Sequence, residues 1–500
     1  MVNDETLKAQ LQTALSECQR LRDENAELRR SIHQVPGTSA TPRLNHLLPK
    51  RDSHESTWCA VTNDSQPQAK IDLFKGLFRG REDVYAVRSE GKSGKTGYAP
   101  AGIREWDRTA STGSRKPSFH YTKLFSISDE VIRDHLTGKL TIGVYPLLQD
   151  DTCWFVAVDF DKKSWEADAS TFLKTCEELG VPGALERSRS GNGGHVWTFF
   201  SSPVHAALAR KLASAVLTRT MERRYALGLD SYDRLFPSQD TMPKGGYGNL
   251  IALPLQHGPR ETGNSVFLDA ALQPYMDQWA FLSTINRLDQ HSIQAILRKT
   301  YPVGDVLNIK YCASEYGEDL DPWALPPSGQ LPLRDITETL PERVSITLVN
   351  QIYIEKKGLP DVFLDRLIRL AAFQNPEFYK TQAMRLSTFG KPRVITCSED
   401  LPRYIALPRG LLHAVLDLFR TQNIEVDVTD YRFGGVPLQV DFHGERRTRQ
   451  TEAAKALTSH DDGVLCAPTA FGKTAVAANL IALRKVNTLV LVHRRHLMDQ

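Results

Sequence analysis

Residues 154–161 of this 500-residue chain read Trp-Phe-Val-Ala-Val-Asp-Phe-Asp, five apolar residues running straight into two carboxylates one residue apart. The run is short, aromatic and β-branched, which is the composition of a buried strand. Side chains alternate faces along a strand, so Asp159 and Asp161 share a face, with Cα atoms about 6–7 Å apart. Two like charges at the end of a buried strand repel. A divalent cation between them removes that repulsion, and carboxylate oxygens suit Mg²⁺ or Mn²⁺. A strand ending in a solvated acidic turn has the same eight residues, so the residues that follow must decide.

Residues 166–179 carry Phe172, Leu173, Cys176 and Leu179 at helical spacing, and Gly180 and Pro182 stop that helix. Next comes Glu186-Arg187-Ser188-Arg189-Ser190-Gly191-Asn192-Gly193-Gly194-His195, then an apolar strand over 196–200. Glycines let backbone N–H groups approach an anion, and arginines pair with phosphate oxygens. Arg187, Arg189, Ser190 and His195 are therefore candidate nucleotide-binding residues. A helix over 204–226 leads to DRLFPSQD at 233–240, then to KGGYGN at 244–249 and a strand over 250–255. Asp240 is a candidate third carboxylate, although in isolation it reads as a turn residue before Pro243. Lys244 and Asn249 are further candidate nucleotide contacts.

These stretches carry a resemblance. VDFD (158–161), SGNGGH (190–195) and an Asp ahead of a Gly-rich turn and strand resemble the three motifs of the archaeo-eukaryotic primase superfamily. The likeness is nearest to the primase-polymerase domain of TOTE conflict systems, which is fused to a superfamily 2 helicase. Its most specific parts are GVYPLL (143–148), ERSRSGNGGHVW (186–197), RLFPSQDTMPKGGYGNLIALPLQ (234–256) and NPEFYKTQAMR (375–385). The resemblance implies catalytic metals on Asp159, Asp161 and Asp240, and an incoming nucleotide's triphosphate on His195. Family members with a cysteine cluster place it where this chain reads 97–120. No cysteine lies between Cys59 and Cys153, so no zinc knuckle is expected there.

Beyond this segment, Leu7, Leu11, Ala14, Cys18, Leu21, Asn25, Leu28 and Ile32 fall at heptad spacing, a coiled-coil seam over 1–35 with one Asn at an a position. A single amphipathic helix packed on its own protein has the same pattern; self-association is the favoured reading. Residues 36–68 and 301–340 lose periodicity and read as linkers. They bracket a catalytic domain over 69–300, in which Gly91, Lys92, Gly94 and Lys95 form a basic loop. Residues 341–445, with Arg385, Lys391, Arg393, Arg403 and Arg409, read as a connector that contacts DNA or serves as plain scaffold. From 446 the pattern is an apolar run at 463–466, then Ala-Pro-Thr-Ala-Phe-Gly-Lys-Thr and a helix, the order of a P-loop. Thr469, Gly472, Lys473 and Thr474 would hold ATP, with Lys473 on the β/γ oxygens and Thr474 on Mg²⁺. Gln450 resembles the adenine-reading glutamine of superfamily 2 helicases, and 488–494 resembles their next strand and DNA-facing loop. No DExx box or second lobe follows, so the expectation is an incomplete RecA-like lobe that binds ATP without efficient turnover.

The expected fold class is thus α/β: an α+β primase-polymerase domain with a mixed sheet, an N-terminal coiled coil and the start of a RecA-like P-loop lobe. No apolar run approaches the ~20 residues of a membrane span, no signal peptide is evident, and the seven cysteines are scattered without a CxxC. A cytoplasmic protein with reduced thiols is expected. The net charge of +3 means any nucleic-acid surface must be local. The function that fits is metal-dependent nucleotidyl transfer on a DNA template or primer, using nucleoside triphosphates. The alternatives are a translocase whose N-terminal part only grips DNA, a metal-dependent nuclease and a coiled-coil scaffold. Deleting residues 1–35 is expected to convert a dimer to a monomer; light scattering that finds the full chain already monomeric at micromolar concentration overturns the coiled coil.

Overall fold

The computed structural model describes residues 20, 61–90, 96–106, 119–300, 307, 335–445, 447–492, 494, 495 and 498. The heptad segment apart from Arg20, the basic loop at 91–95, most of both expected linkers and His493 lie outside the described residues. The described chain is mixed α/β with several sheets.

Helix Pro67–Leu77 opens on a proline, which lacks the N–H that would otherwise go unpaired there. β1 (Ala86–Glu90) and β2 (Thr96–Pro100) form an antiparallel hairpin, and β3 (Gly102–Trp106) pairs with β4 (Phe119–Leu124). Helix Asp129–Thr137 is capped at both ends: Ser128 Oγ accepts from the Val131 N–H, and Gly138 closes the other end at φ 88°. β5 (Ile142–Val144) then pairs with β1.

The central sheet contains β6 (Thr152–Phe160), β7 (Ala184–Arg187), β8 (Gly194–His205), β9 (Leu235–Phe236) and, after the short β10 (Ile251–Ala252), β11 (Val266–Phe267). Its order is β11-β7-β8-β6-β9, with every pairing antiparallel. β8 is longer than the expected 196–200, whereas the strand expected over 250–255 shrinks to β10, which joins β5 in the other sheet. The expected helix over 204–226 is Ala206–Met221 followed by two 3₁₀ turns.

The two faces of β6 differ. Phe160 meets Phe172 of helix Trp165–Leu179 at 5.5 Å between ring centroids, so helices cover that face. On the other face Phe155 and Trp197 pack 5.1 Å apart, with Phe78 against Trp197 at 5.1 Å. Toward the C-terminal end of β6 this second face changes from aromatic to charged.

A second core forms around β12 (Arg343–Leu348), β13 (Ile352–Glu355), β16 (Glu399–Asp400), β17 (Tyr404–Leu407) and β18 (Glu425–Asp430), in the order β16-β17-β13-β12-β18; β14 (Ala372–Gln374) and β15 (Val394–Thr396) pair separately. β12 and β18 run parallel. Helices Asp361–Leu370 and Leu412–Thr421 meet through Phe363 and Phe419, 4.9 Å apart. The two cores are joined by the buried Arg369, whose guanidinium donates to Asp365 at 2.6 Å and to the Tyr232 hydroxyl at 3.2 Å.

The strands expected at 463–466 and 488–492 are absent: these residues make no ladder among the described residues, and Val464, Leu489 and Leu491 are exposed. An apolar strand of a parallel sheet is held by neighbours on both sides, and no such neighbours are described.

His135 shows how tightly the first core is specified. It is fully buried; its Nε2 donates to the Pro254 carbonyl at 2.9 Å, and its Nδ1 accepts from the Ile142 N–H at 3.2 Å. Only the neutral ring satisfies both bonds. Burial pushes the imidazole down to about 4 from its usual 6.5. The unfolded chain takes up a proton that the folded chain refuses, so this contribution is complete above about pH 6.5 and erodes as the pH falls toward 4. The full loss is about 3 kcal/mol. His135→Gln keeps one donor and one acceptor and is expected to flatten that part of the slope, measured as urea-unfolding free energies at neutral and mildly acidic pH.

Candidate functional site

Cross-strand pairing builds the charged end of β6. Asp159 lies directly opposite His195 on β8, and the Asp159 N–H donates to the Arg234 carbonyl at 3.0 Å on the other side. Side chains opposite one another share a face, so Asp159, His195 and Arg234 converge. Asp161, just past the strand end, ion-pairs with Arg234. The Asp159 side chain is 28% exposed and that of Asp161 53%, so this end of the sheet is open.

His195 is held from behind. Glu186, on β7 opposite His195, is buried and accepts from His195 Nδ1 and from Trp197 Nε1, each at 3.0 Å. This fixes the ring with Nε2 toward Asp159 Oδ1, 3.8 Å away. Burial alone would depress the imidazole, but the Glu186 carboxylate and then Asp159 lift it above its ordinary value. Burial raises the Asp159 carboxyl, and Asp161 adds to the rise, against the opposing pull of His195 and Arg234.

The glycines before His195 serve packing. A Cβ on Gly193 would lie 2.7 Å from the Phe160 carbonyl oxygen, and one on Gly194 would lie 2.8 Å from the Trp165 ring. The loop is the tight end of the β7–β8 hairpin, with the Ser188 N–H bonded to the Gly193 carbonyl at 2.8 Å.

Several expected site residues sit elsewhere. Arg187 follows Glu186 on β7 and so points to the opposite face; its guanidinium donates to the Gly263 and Leu272 carbonyls, each at 3.0 Å. Arg189 pairs with the Gln256 side chain. Ser190 is exposed in the hairpin loop, 3.2 Å from Ser188. Asn249 pins the backbone beside β9, accepting from the Ser238 N–H and donating to the Leu235 carbonyl. Lys244 is exposed.

Asp240 departs most from expectation. Its carboxylate faces Arg210 at 3.6 Å and Arg393 at 3.7 Å, and accepts from Gln382 at 2.8 Å. Burial would raise this carboxyl, but Arg393, Arg210 and Gln382 hold it below the ordinary range. Its charge is already balanced, and its partners come from helices Ala206–Met221 and Pro376–Ala383 and from the residue before β15 rather than from the acidic pair. The carboxylate that shares Arg234 with Asp161 is Asp230, 3.7 Å from Arg234 and 2.8 Å from Lys162. Glu186, Arg234 and Asp230 were not singled out in the sequence. Hairpin register around the Gly-rich turn could have found Glu186, since it pairs with the histidine.

Among the described residues no group of three or more His, Cys, Asp and Glu is arranged to hold a metal ion. Asp159 and Asp161 nevertheless offer the hard oxygen donors that a divalent cation takes, and their mutual repulsion favours one. Arg234 now supplies part of that compensation.

In the segment whose sequence has the order of a P-loop, Gly472 (φ 88°) caps helix Lys473–Arg484. Lys473 Nζ donates to the Ala467 and Pro468 carbonyls at 2.8 and 2.9 Å, inside its own loop. Thr469 and Thr474 are exposed. Gln450 is buried; it accepts from the Arg447 N–H and donates to the Phe471 carbonyl, so its amide ties helix Thr448–Thr458 to the loop.

Replacing Asp240 with alanine leaves two buried guanidinium groups without their shared carboxylate. A stability loss of about 3 kcal/mol is expected, measured by chemical denaturation, while Asp161→Asn at the open end stays within about 0.5 kcal/mol of the parent.

No curated protein matches this chain. Residues 69–296, the segment that carries Asp159, Asp161, Glu186, His195 and Arg234, match the family model of the archaeo-eukaryotic primase domain of TOTE conflict systems.

Proposed function

We propose that residues 69–300 form a metal-dependent nucleotidyltransferase that makes or extends primers on a DNA template, and that the P-loop segment belongs to an ATP-driven superfamily 2 helicase module on the same chain. The observation that carries the first part is the pairing of Asp159 opposite His195 at the open end of β6, with Asp161 and Arg234 beside them. Asp159 and Asp161 are the residues that would hold Mg²⁺ or Mn²⁺, which supplies charge neutralisation at the α-phosphate and the departing pyrophosphate.

The remaining roles fall to side chains of this site. His195, fixed by Glu186 through Nδ1, offers Nε2 to a triphosphate oxygen. Arg234 matches phosphate oxygens in the same way that it now matches Asp161. Asp240, Arg187 and Asn249 act by holding the scaffold. In the helicase part, Gly472, Lys473, Thr469 and Thr474 take the ATP phosphates, with Lys473 leaving its loop carbonyls to do so. Gln450 fixes the loop rather than reading adenine.

A translocase that merely grips DNA would incorporate no nucleotide, so incorporation separates the two readings. Asp159→Asn and Asp161→Asn are each expected to abolish incorporation of labelled nucleotide, with or without a primer and with either metal. The melting temperature should hold, because burial already disfavours charge on Asp159 and Asp161 is half exposed. Metal-dependent incorporation persisting in either variant overturns the assignment.

A further inference from the structure

Beside the candidate site, a groove of about 830 Å³ runs between the Gly-rich turn after β9 and the loop that follows helix Pro376–Ala383. Phe236, whose ring centroid is 6.4 Å from that of His195, lies at its inner end. Lys244 and Lys391 line it, together with the main chain of Gly245 and Gly246. At its outer lip stands Phe389, with 95% of its surface exposed.

An aromatic ring left this open is unfavourable in water, and here it is not on a loose strand of chain. The Phe389 N–H bonds to Ser387 Oγ, and the Lys391 N–H bonds to the Thr388 carbonyl at 3.0 Å. Gly390, at φ 75°, makes the turn possible. Behind the loop, the buried Gln239 donates to the Leu386 carbonyl at 3.1 Å and accepts from the Thr388 N–H. The opposite wall is tied to the same loop, the Lys244 N–H bonding to the Arg385 carbonyl at 2.9 Å. The main chain that carries this exposed ring is therefore pinned at the edge of a groove whose lining includes Phe236, the neighbour of His195.

We infer that this groove binds single-stranded nucleic acid, with Phe389 as a platform on which a base stacks and Lys244 and Lys391 facing the phosphodiester backbone. The chemistry matches on each count. Stacking on an aromatic ring accepts any base, and a basic groove tracks a backbone without reading sequence. The main chain at Gly245 and Gly246 carries no side chain to keep a strand at a distance. Lys391 pairs with Glu377 only at an exposed position, which a phosphate can displace. The one carboxylate in the lining, Asp233, is engaged by the Arg393 N–H at 2.7 Å. The inference deepens the polymerase reading by placing the template strand, and it rests on that reading for the strand's identity as template.

The test is fluorescence anisotropy with a labelled oligothymidylate of about 16 nucleotides and the full chain, without nucleotide or divalent metal. Phe389→Ala is expected to weaken binding about 5- to 100-fold, with an unchanged melting temperature, because the ring packs on nothing. Phe389→Trp should retain binding, and Lys244→Ala should weaken it and flatten its salt dependence. Affinity in Phe389→Ala equal to the parent's overturns the groove, as does a preference for duplex that depends on Phe389. The polymerase reading fails separately: a chain that binds the oligonucleotide through Phe389 yet incorporates nothing keeps the groove and loses the catalytic role, and a chain that incorporates while Phe389→Ala binds normally does the reverse.

Discussion

The antiparallel pairing of β6 with β8 is the interaction on which the rest of the site depends. It sets Asp159 opposite His195, and through the β7–β8 register it sets Glu186 behind His195. A slip of one residue would send every one of these side chains to the opposite face. Two features fix the register. The aromatic cluster of Phe78, Phe155, Trp197 and Phe199 fills one face farther along the same strands. At the hairpin end, Gly193 and Gly194 pack so closely on Phe160 and Trp165 that no larger residue fits. Apolar packing thus positions the charged groups, and the charged groups in turn need not contribute to holding the fold.

Part of the charge of the segment that looked basic in sequence is committed to architecture. Arg385 pairs with Asp151 at 2.6 Å, and Arg393 faces Asp240 and stacks on Phe378. Two of the sequence stretches most specific to the primase resemblance, RLFPSQD and NPEFYKTQAMR, are partners in this seam. Gln382 takes the Asp240 carboxylate and accepts from the Asp240 N–H, while Thr241 bonds to the Gln382 carbonyl. Their pairing gives Asp240 partners that its neighbours in sequence do not reveal. A half-buried carboxylate flanked by two buried guanidinium groups is costly to disrupt and has little capacity left for an incoming cation.

What the sequence disclosed divides along the same physical line. The period of two in WFVAVDFD was enough to place Asp159 and Asp161 on one face, and Gly180 marked a helix end correctly. These are local signals. The same period would have put Arg187 on the face opposite Glu186 and His195, but the start of β7 is not evident from four residues ending in a Gly-rich turn. Arg234, Asp230 and the real setting of Asp240 depend on contacts between segments far apart in the chain, such as the 142 residues between Asp240 and Gln382. No local pattern carries that information. The apolar runs at 463–466 and 488–492 failed for a related reason: a buried parallel strand is defined by its neighbours, and its sequence alone does not supply them.

Charge balance at the open end of β6 connects the geometry to the chemistry. Glu186, Asp159 and Asp161 carry three negative charges, and His195 when protonated and Arg234 carry two positive ones. The cluster is therefore slightly negative, and its two cationic side chains are each engaged by a carboxylate. Such a site repels a triphosphate. A divalent cation on Asp159 and Asp161 would reverse the sign and free Arg234 from Asp161, while Glu186, buried behind His195, would keep the imidazole in place. On the proposed reading, nucleotide affinity would then be conditional on the cation by electrostatics alone. The buried Glu186 is what makes this economical, because it keeps one cationic ligand fixed at the site whether or not the carboxylate pair is occupied.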